Sequence, residues 1–110
     1  MRIVAISDLH NLTRDIISYI PECDLLLVGG DMITQGTEAE ARISAQFYNS
    51  ITQAKRKVLV TGNHDGWIIS HSENFQSLLD STSILLQNTG TEFEGVKIFG
   101  SPYYYKREKS

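Results

Sequence analysis

Residues 25–31 have the sequence Leu-Leu-Leu-Val-Gly-Gly-Asp, a continuous apolar run that ends in two glycines and an aspartate. Short apolar runs of this kind are typical of strands covered on both faces of a parallel sheet. The glycines permit a sharp turn and a close approach of the backbone to a ligand. The stretch therefore predicts a buried central strand that carries the Asp31 carboxylate at its carboxyl end.

The same arrangement recurs on both sides of this stretch. The run at residues 2–6 leads into Ser-Asp-Leu-His at 7–10, and the run at 57–60 is soon followed by Gly-Asn-His-Asp at 62–65. Functional sites in open α/β sheets gather outside the carboxyl ends of the strands. Aspartate, histidine and asparagine suit hard or borderline metal ions. Any one cluster is as well explained by a turn or a helix cap, but the three together predict a metal site.

Helical patterns separate these strands. Leu12, Ile16, Ile17 and Ile20 recur at helical spacing, and Pro21 closes the segment. Alternation of strand and helix predicts right-handed crossovers and a largely parallel sheet.

The longest predicted helix covers residues 37–53 and begins with a capping box formed by Thr37 and Glu40. Its apolar stripe consists of Ala41, Ile43 or Ser44, Phe47, Tyr48 and Ile51. The basic run at 55–57 is interpreted as a solvated helix end before the third strand. A weaker helix is predicted at 73–80.

The last third of the chain has strand character. Strands are predicted at 83–86, 91–93 and 96–99, with Glu94 and Gly95 forming the turn of a terminal hairpin.

Composition narrows the class of protein. The chain has 110 residues, a net charge of −3 and one cysteine, Cys23. This length predicts a single domain, and the weak charge favours neither nucleic acid nor a membrane surface as a partner. A single cysteine suits a reducing compartment, and no apolar stretch is long enough to span a membrane, so a cytoplasmic location is expected.

The motifs resemble those of the calcineurin-like metallophosphoesterase superfamily. The matching segments, in order, are Asp8-Leu9-His10, Gly30-Asp31 and Gly62-Asn63-His64-Asp65, with Gly95 to Pro102 similar to a later segment of one phosphohydrolase branch. The resemblance implies a first metal held by Asp8, His10 and Asp31, with Asp31 bridging to a second metal held by Asn63. It implies that His64 is the catalytic residue, acting as a general acid or as a donor to a phosphate oxygen.

The resemblance also implies a fold and a reaction. The expected fold is α/β: the N-terminal half of a four-layer αββα sandwich, with a mainly parallel sheet, flanking helices and a terminal hairpin. The expected reaction is hydrolysis of a phosphomonoester or phosphodiester by two divalent metal ions (manganese, iron, zinc or similar) and a bridging hydroxide. Nucleic acid enters only as a possible substrate.

Two departures from the family pattern leave alternatives open. The family carries further histidines downstream, whereas this chain has none after His71, which is expected to be a surface residue. Residues 1–110 are therefore expected to be one truncated metallophosphoesterase domain, and a homodimer or a separate C-terminal half is a possible partner. The alternative is a non-catalytic module that binds metal or phosphate. Thr34 replaces an acidic residue common in the phosphatases, which favours phosphodiesterase-like members.

Overall fold

The computed structural model describes residues 1–7, 14–30, 36–62 and 65–101. Their elements, in chain order, are β1 (Ile3–Ile6), α1 (Arg14–Ser18), β2 (Cys23–Val28), α2 (Glu38–Asn49), β3 (Ala54–Val60), α3 (Gly66–Ser70), α4 (Ser72–Leu78), β4 (Ser83–Leu86), β5 (Thr89–Phe93) and β6 (Val96–Gly100). The first four strands form a parallel sheet in the order β1-β2-β3-β4, and β5 and β6 form an antiparallel hairpin. The predicted fold class is confirmed.

The sheet has two differently covered faces, because successive side chains of a strand point to opposite sides. One face packs against the helices through Leu26, Val28 and Leu59, which meet Ala41, Ala45 and Tyr48 of α2, Ile68 of α3 and Phe75 of α4. The other face packs against the hairpin through Leu25, Val58 and Leu86, which meet Phe93 and Ile98. Burial on both faces explains why the central runs are continuously apolar.

Helix α2 begins as predicted and ends earlier. The Thr37 hydroxyl accepts a hydrogen bond from the Glu40 amide at 3.2 Å, as expected of an N-cap. Of the two alternatives for the apolar stripe, Ser44 is the buried residue and Ile43 is 59% exposed. Burial of Ser44 is tolerated because its hydroxyl donates to the Ala41 carbonyl at 3.1 Å. The helix stops at Asn49 rather than at residue 53.

The basic run at 55–57 lies inside β3, so its interpretation as a helix end was wrong. Lys57 is fully buried, and its Nζ donates to the carbonyls of Tyr48 at 2.6 Å and Ile51 at 3.1 Å. It also forms an ion pair with Asp80 at 3.6 Å. Tyr48 lies in the last turn of α2, where the carbonyl groups carry partial negative charge that favours a nearby ammonium group.

The hairpin turn lies where it was predicted, with positive φ angles of 49° at Glu94 and 84° at Gly95. The hairpin covers only part of its sheet face, since Ile3 is 48% and Phe99 is 70% exposed. A groove of about 340 Å³ lies between the hairpin and the β1–β2 side of the sheet. Part of this apolar sheet face is therefore exposed.

Among the helices of the described residues, none has the length and apolar character needed to traverse a lipid bilayer.

Candidate metal centre

The first three strands deliver their carboxyl ends to one edge of the sheet. They are parallel and adjacent, with Ile6 opposite Val28 and Val28 opposite Leu59. The segments that follow these strands therefore leave the sheet side by side, as the pattern of motifs predicted.

The loops after β1 and β2 are in close contact at their first residues. The Gly29 amide donates to the Ile6 carbonyl at 2.7 Å. A Cβ atom built on Gly29 would lie 3.0 Å from the Cβ of Ser7. A glycine at position 29 therefore allows these two loops to begin closer together than a larger residue would permit.

The loops after β2 and β3 approach each other even more closely. Gly30 has φ +111°, a conformation that residues with a side chain rarely adopt. A Cβ atom there would lie 3.1 Å from the Gly62 nitrogen and 3.2 Å from the Thr61 carbonyl carbon. The backbone of one loop thus rests directly on the backbone of the other.

The predicted site residues lie next to these contacts in the chain. Asp8 follows Ser7, Asp31 follows Gly30, and Asn63 follows Gly62. All five of the predicted ligands and catalytic groups (Asp8, His10, Asp31, Asn63 and His64) lie outside the described residues. Within the described ranges no group of three or more His, Cys, Asp or Glu side chains is placed to hold a metal ion. Their roles therefore remain predictions.

The first and last residues of the third motif, Gly62 and Asp65, are hydrogen-bonded to each other. The Asp65 Oδ2 accepts from the Gly62 amide at 2.8 Å, and the Asp65 amide donates to the Gly62 carbonyl at 3.1 Å. Asp65 is fully buried and stands at the N-cap of α3, yet its side chain makes no capping hydrogen bond to that helix. The carboxylate holds the turn that precedes it.

Two buried hydroxyl groups lie in the residues that support this turn. The hydroxyl oxygens of Tyr48 and Thr61 have no hydrogen-bond partner in the described part of the chain. Burial raises the pKa of the Tyr48 phenol, and the negative charge of Asp65 raises this pKa further. The Tyr48 phenol is therefore neutral at ordinary pH.

Helix α3 joins the third loop to the second. The Trp67 amide donates to the Gly36 carbonyl at 3.0 Å. His71, at the end of α3, stacks on the Trp67 ring with 4.6 Å between ring centroids, and its Nδ1 lies 3.1 Å from the Trp67 carbonyl. His71 is exposed, as predicted.

Sequence reasoning missed the part played by Asp65 and by Tyr48. Asp65 belongs to the third motif but is not one of the predicted ligands. Nothing in the sequence indicates that its side chain is buried. Tyr48 was predicted as a core residue on the apolar stripe of α2, and nothing in the sequence links it to a residue 17 positions further on. Only the packing of α2 over the end of β3 does so.

The described residues form an α/β domain in which the loops after three parallel strands meet at one edge of the sheet. A family model described as calcineurin-like phosphoesterase matches residues 1–107. The chain belongs to this family, as its motifs predicted.

Three curated relatives match 94% of the chain. The chain is 32% identical to probable rhamnogalacturonate lyase C of Emericella nidulans, of which it covers 10%. It is 30% identical to UPF0046 protein C25E10.12 and 28% identical to UPF0046 protein K07C11.7, both of Caenorhabditis elegans, of which it covers 42% and 39%. The chain thus spans less than half the length of each of these relatives.

Proposed function

We propose that this chain supplies the N-terminal metal ligands of a phosphoester hydrolase with a dinuclear metal centre. The observation that carries the proposal is the convergence of three loops at one sheet edge, with Ser7 against Gly29 and Gly30 against Gly62. Each of the three loops continues directly into a predicted ligand. Membership of the calcineurin-like phosphoesterase family supports a phosphoesterase-type reaction.

The residue types of the predicted ligands suit a pair of divalent ions. Asp8, His10 and Asp31 would hold one ion, and Asp31 and Asn63 would hold the other. Carboxylate, imidazole and amide oxygen donors accept manganese, iron or zinc. When bound, such a pair of ions would activate water at neutral pH and neutralise charge on the phosphoryl oxygens.

The chain's own residues would supply the remaining steps. His64 would donate a proton to the leaving oxygen or a hydrogen bond to a phosphate oxygen. The glycine contacts would hold the loops close enough for their donors to act together. Thr34, in place of an acidic residue, favours a phosphodiester as the substrate.

The lyase activity in the name of the Emericella protein is not transferred to this chain. That name describes a protein of which the chain matches only a tenth, and the names of the two Caenorhabditis proteins state no activity. The proposal rests on the family and on the sheet edge.

The test is hydrolysis of bis(4-nitrophenyl) phosphate by the 110-residue chain, with and without added Mn²⁺. We expect turnover that depends on the metal and falls by a factor of about 10² or more in His64→Ala, as is usual for the loss of a general acid. His71→Ala is the matched control, because it removes an exposed histidine from α3, and it should retain the wild-type rate.

Two results would count against the proposal. Equal rates for wild type and His64→Ala would exclude the proposed role of His64. A folded chain that binds Mn²⁺ or phosphate without turnover would exclude catalysis by these 110 residues alone and favour the non-catalytic binding module for this chain.

A further inference from the structure

We infer that Asp65 is a positioning residue for the candidate metal centre: its buried carboxylate binds the amide of Gly62, the residue that directly precedes the predicted ligand Asn63. The inference rests on the proposed function, because it concerns a ligand of that site. It adds a residue that is not among the predicted metal ligands.

The first ground is the direction of the Asp65 side chain. An aspartate at an N-cap ordinarily accepts a hydrogen bond from an amide in the first turn of its own helix. The Asp65 side chain makes no such bond with α3. Its Oδ2 accepts instead from the Gly62 amide, 2.8 Å away and three residues earlier in the chain.

The second ground is that the turn is closed from both sides. The Asp65 amide donates to the Gly62 carbonyl at 3.1 Å, so the main chain and the side chain of Asp65 each bind Gly62. The Asp65 carbonyl accepts from the Ile69 amide at 2.9 Å, which ties the turn to α3. Gly62 is therefore joined to Asp65 by two hydrogen bonds, and Asp65 is joined to α3 by a third.

The third ground is burial. Asp65 and Tyr48 are both fully buried, and Tyr48 lies close enough to feel the Asp65 charge. A hydrogen bond to a charged group contributes about 1.5–3 kcal/mol, more than one between neutral groups. Exclusion of water by the core beneath the turn preserves that strength.

The loop that Asp65 holds is also the one on which Gly30 rests. Because the Gly30 backbone is packed against Gly62 and Thr61, a change in the turn would be transmitted to the loop that supplies Asp31. Partners of metal ligands typically contribute a factor of about 10–100 to metal affinity.

The experiment measures Mn²⁺ binding by isothermal titration calorimetry on the full chain, alongside thermal unfolding followed by circular dichroism. Asp65→Ser removes the bond to Gly62, because the shorter hydroxyl does not reach the amide, while serine remains a good N-cap for α3. We expect Mn²⁺ affinity to fall by a factor of about 10 or more. Asp65→Asn keeps an oxygen acceptor and should stay within a factor of about 3 of wild type.

Asp80→Ser is the matched control. Asp80 also holds a turn, in which its side chain accepts hydrogen bonds from the Thr82 amide at 3.0 Å and from the Thr82 hydroxyl at 2.6 Å. This turn precedes the amino end of β4, whereas the candidate metal centre lies at the carboxyl ends of the strands. We expect Asp80→Ser to lower the unfolding temperature without changing Mn²⁺ affinity.

Several outcomes would overturn the inference. Wild-type affinity in a folded Asp65→Ser variant would do so, and so would an equal loss of affinity in Asp80→Ser, which would reflect general destabilisation. If Asp65→Ser does not fold, Asp65→Asn alone provides the test. Asparagine keeps an oxygen acceptor, so a loss of Mn²⁺ affinity of about tenfold or more in that variant would exclude a role through the hydrogen bond. Absence of Mn²⁺ binding by wild type would refute the proposed function itself, which distinguishes the two failures.

Discussion

Replacement of Gly30 by alanine tests the close approach of two loops on which the candidate site depends. Gly30 has φ +111°, and an added Cβ would lie 3.1 Å from the Gly62 nitrogen and 3.2 Å from both the Gly62 Cα and the Thr61 carbonyl carbon. Such a backbone conformation costs a residue with a side chain about 1–3 kcal/mol. Forcing an atom into packed backbone costs about 1–3 kcal/mol more. We therefore expect the free energy of unfolding to fall by about 2–6 kcal/mol, a large part of the ~5–15 kcal/mol of a typical domain.

Gly95 provides a control that separates these two costs. It also has a positive φ, 84°, but an added Cβ would meet nothing within 4 Å. Gly95→Ala should therefore incur the conformational cost alone, about 1–3 kcal/mol.

The assay is urea denaturation followed by circular dichroism, with the free energy of unfolding obtained by linear extrapolation. Gly30→Ala should be destabilised by about 1–3 kcal/mol more than Gly95→Ala, because only Gly30 meets backbone atoms. Equal destabilisation of the two variants would refute the argument that the loops are in steric contact. Mn²⁺ affinity should fall in Gly30→Ala and not in Gly95→Ala.

Three further predictions concern two buried side chains, Lys57 and Tyr48, and the ion-pair partner of Lys57, Asp80. Lys57→Met keeps the buried aliphatic stem but leaves the carbonyls of Tyr48 and Ile51 without the ammonium donor, so urea denaturation should show a loss of about 2–4 kcal/mol; unchanged stability would contradict this. Tyr48→Phe removes a buried hydroxyl that lacks a partner in the described residues and should raise the free energy of unfolding by up to about 1 kcal/mol; a loss of that size would show that the hydroxyl is bonded. Burial raises the pKa of the Asp80 carboxyl group. Hydrogen bonds from Thr82 and Ser83 and the charge of Lys57 lower this pKa, and together they bring it below 3.8. The unfolded state then binds the proton more tightly, so the stability contributed by Asp80 is present above pH 3.8 and lost as the pH falls through the folded-state pKa. Acid titration of wild type and Asp80→Asn should show the steeper loss in wild type, and parallel curves would exclude this role.

The periodicity of the sequence predicted most elements of the fold. Local rules account for several elements. Apolar runs predicted strands β1 and β2, a capping residue predicted the start of α2 at Thr37, and a glycine at positive φ suits the Glu94-Gly95 turn. These are properties of neighbouring residues, and they are visible without knowledge of the remainder of the chain.

Prediction was wrong where a distant partner overrides a local preference. Lys57 has the appearance of a solvated cation, but the end of α2 supplies carbonyls that make its burial favourable. Strand β3 therefore begins at Ala54, three residues earlier than the apolar pattern indicated.

The sequence by itself determined which donor groups follow each strand, because residue types and their order are properties of the sequence alone. It also determined the family, through motifs that depend on that order. Tertiary structure alone decided which residues support the site. Gly30 and Gly62 bring together the loops that follow β2 and β3. Asp65 is buried and bonded to Gly62, and its charge acts on Tyr48 of α2. Such contacts depend on how the helices pack over the sheet, which no local pattern encodes.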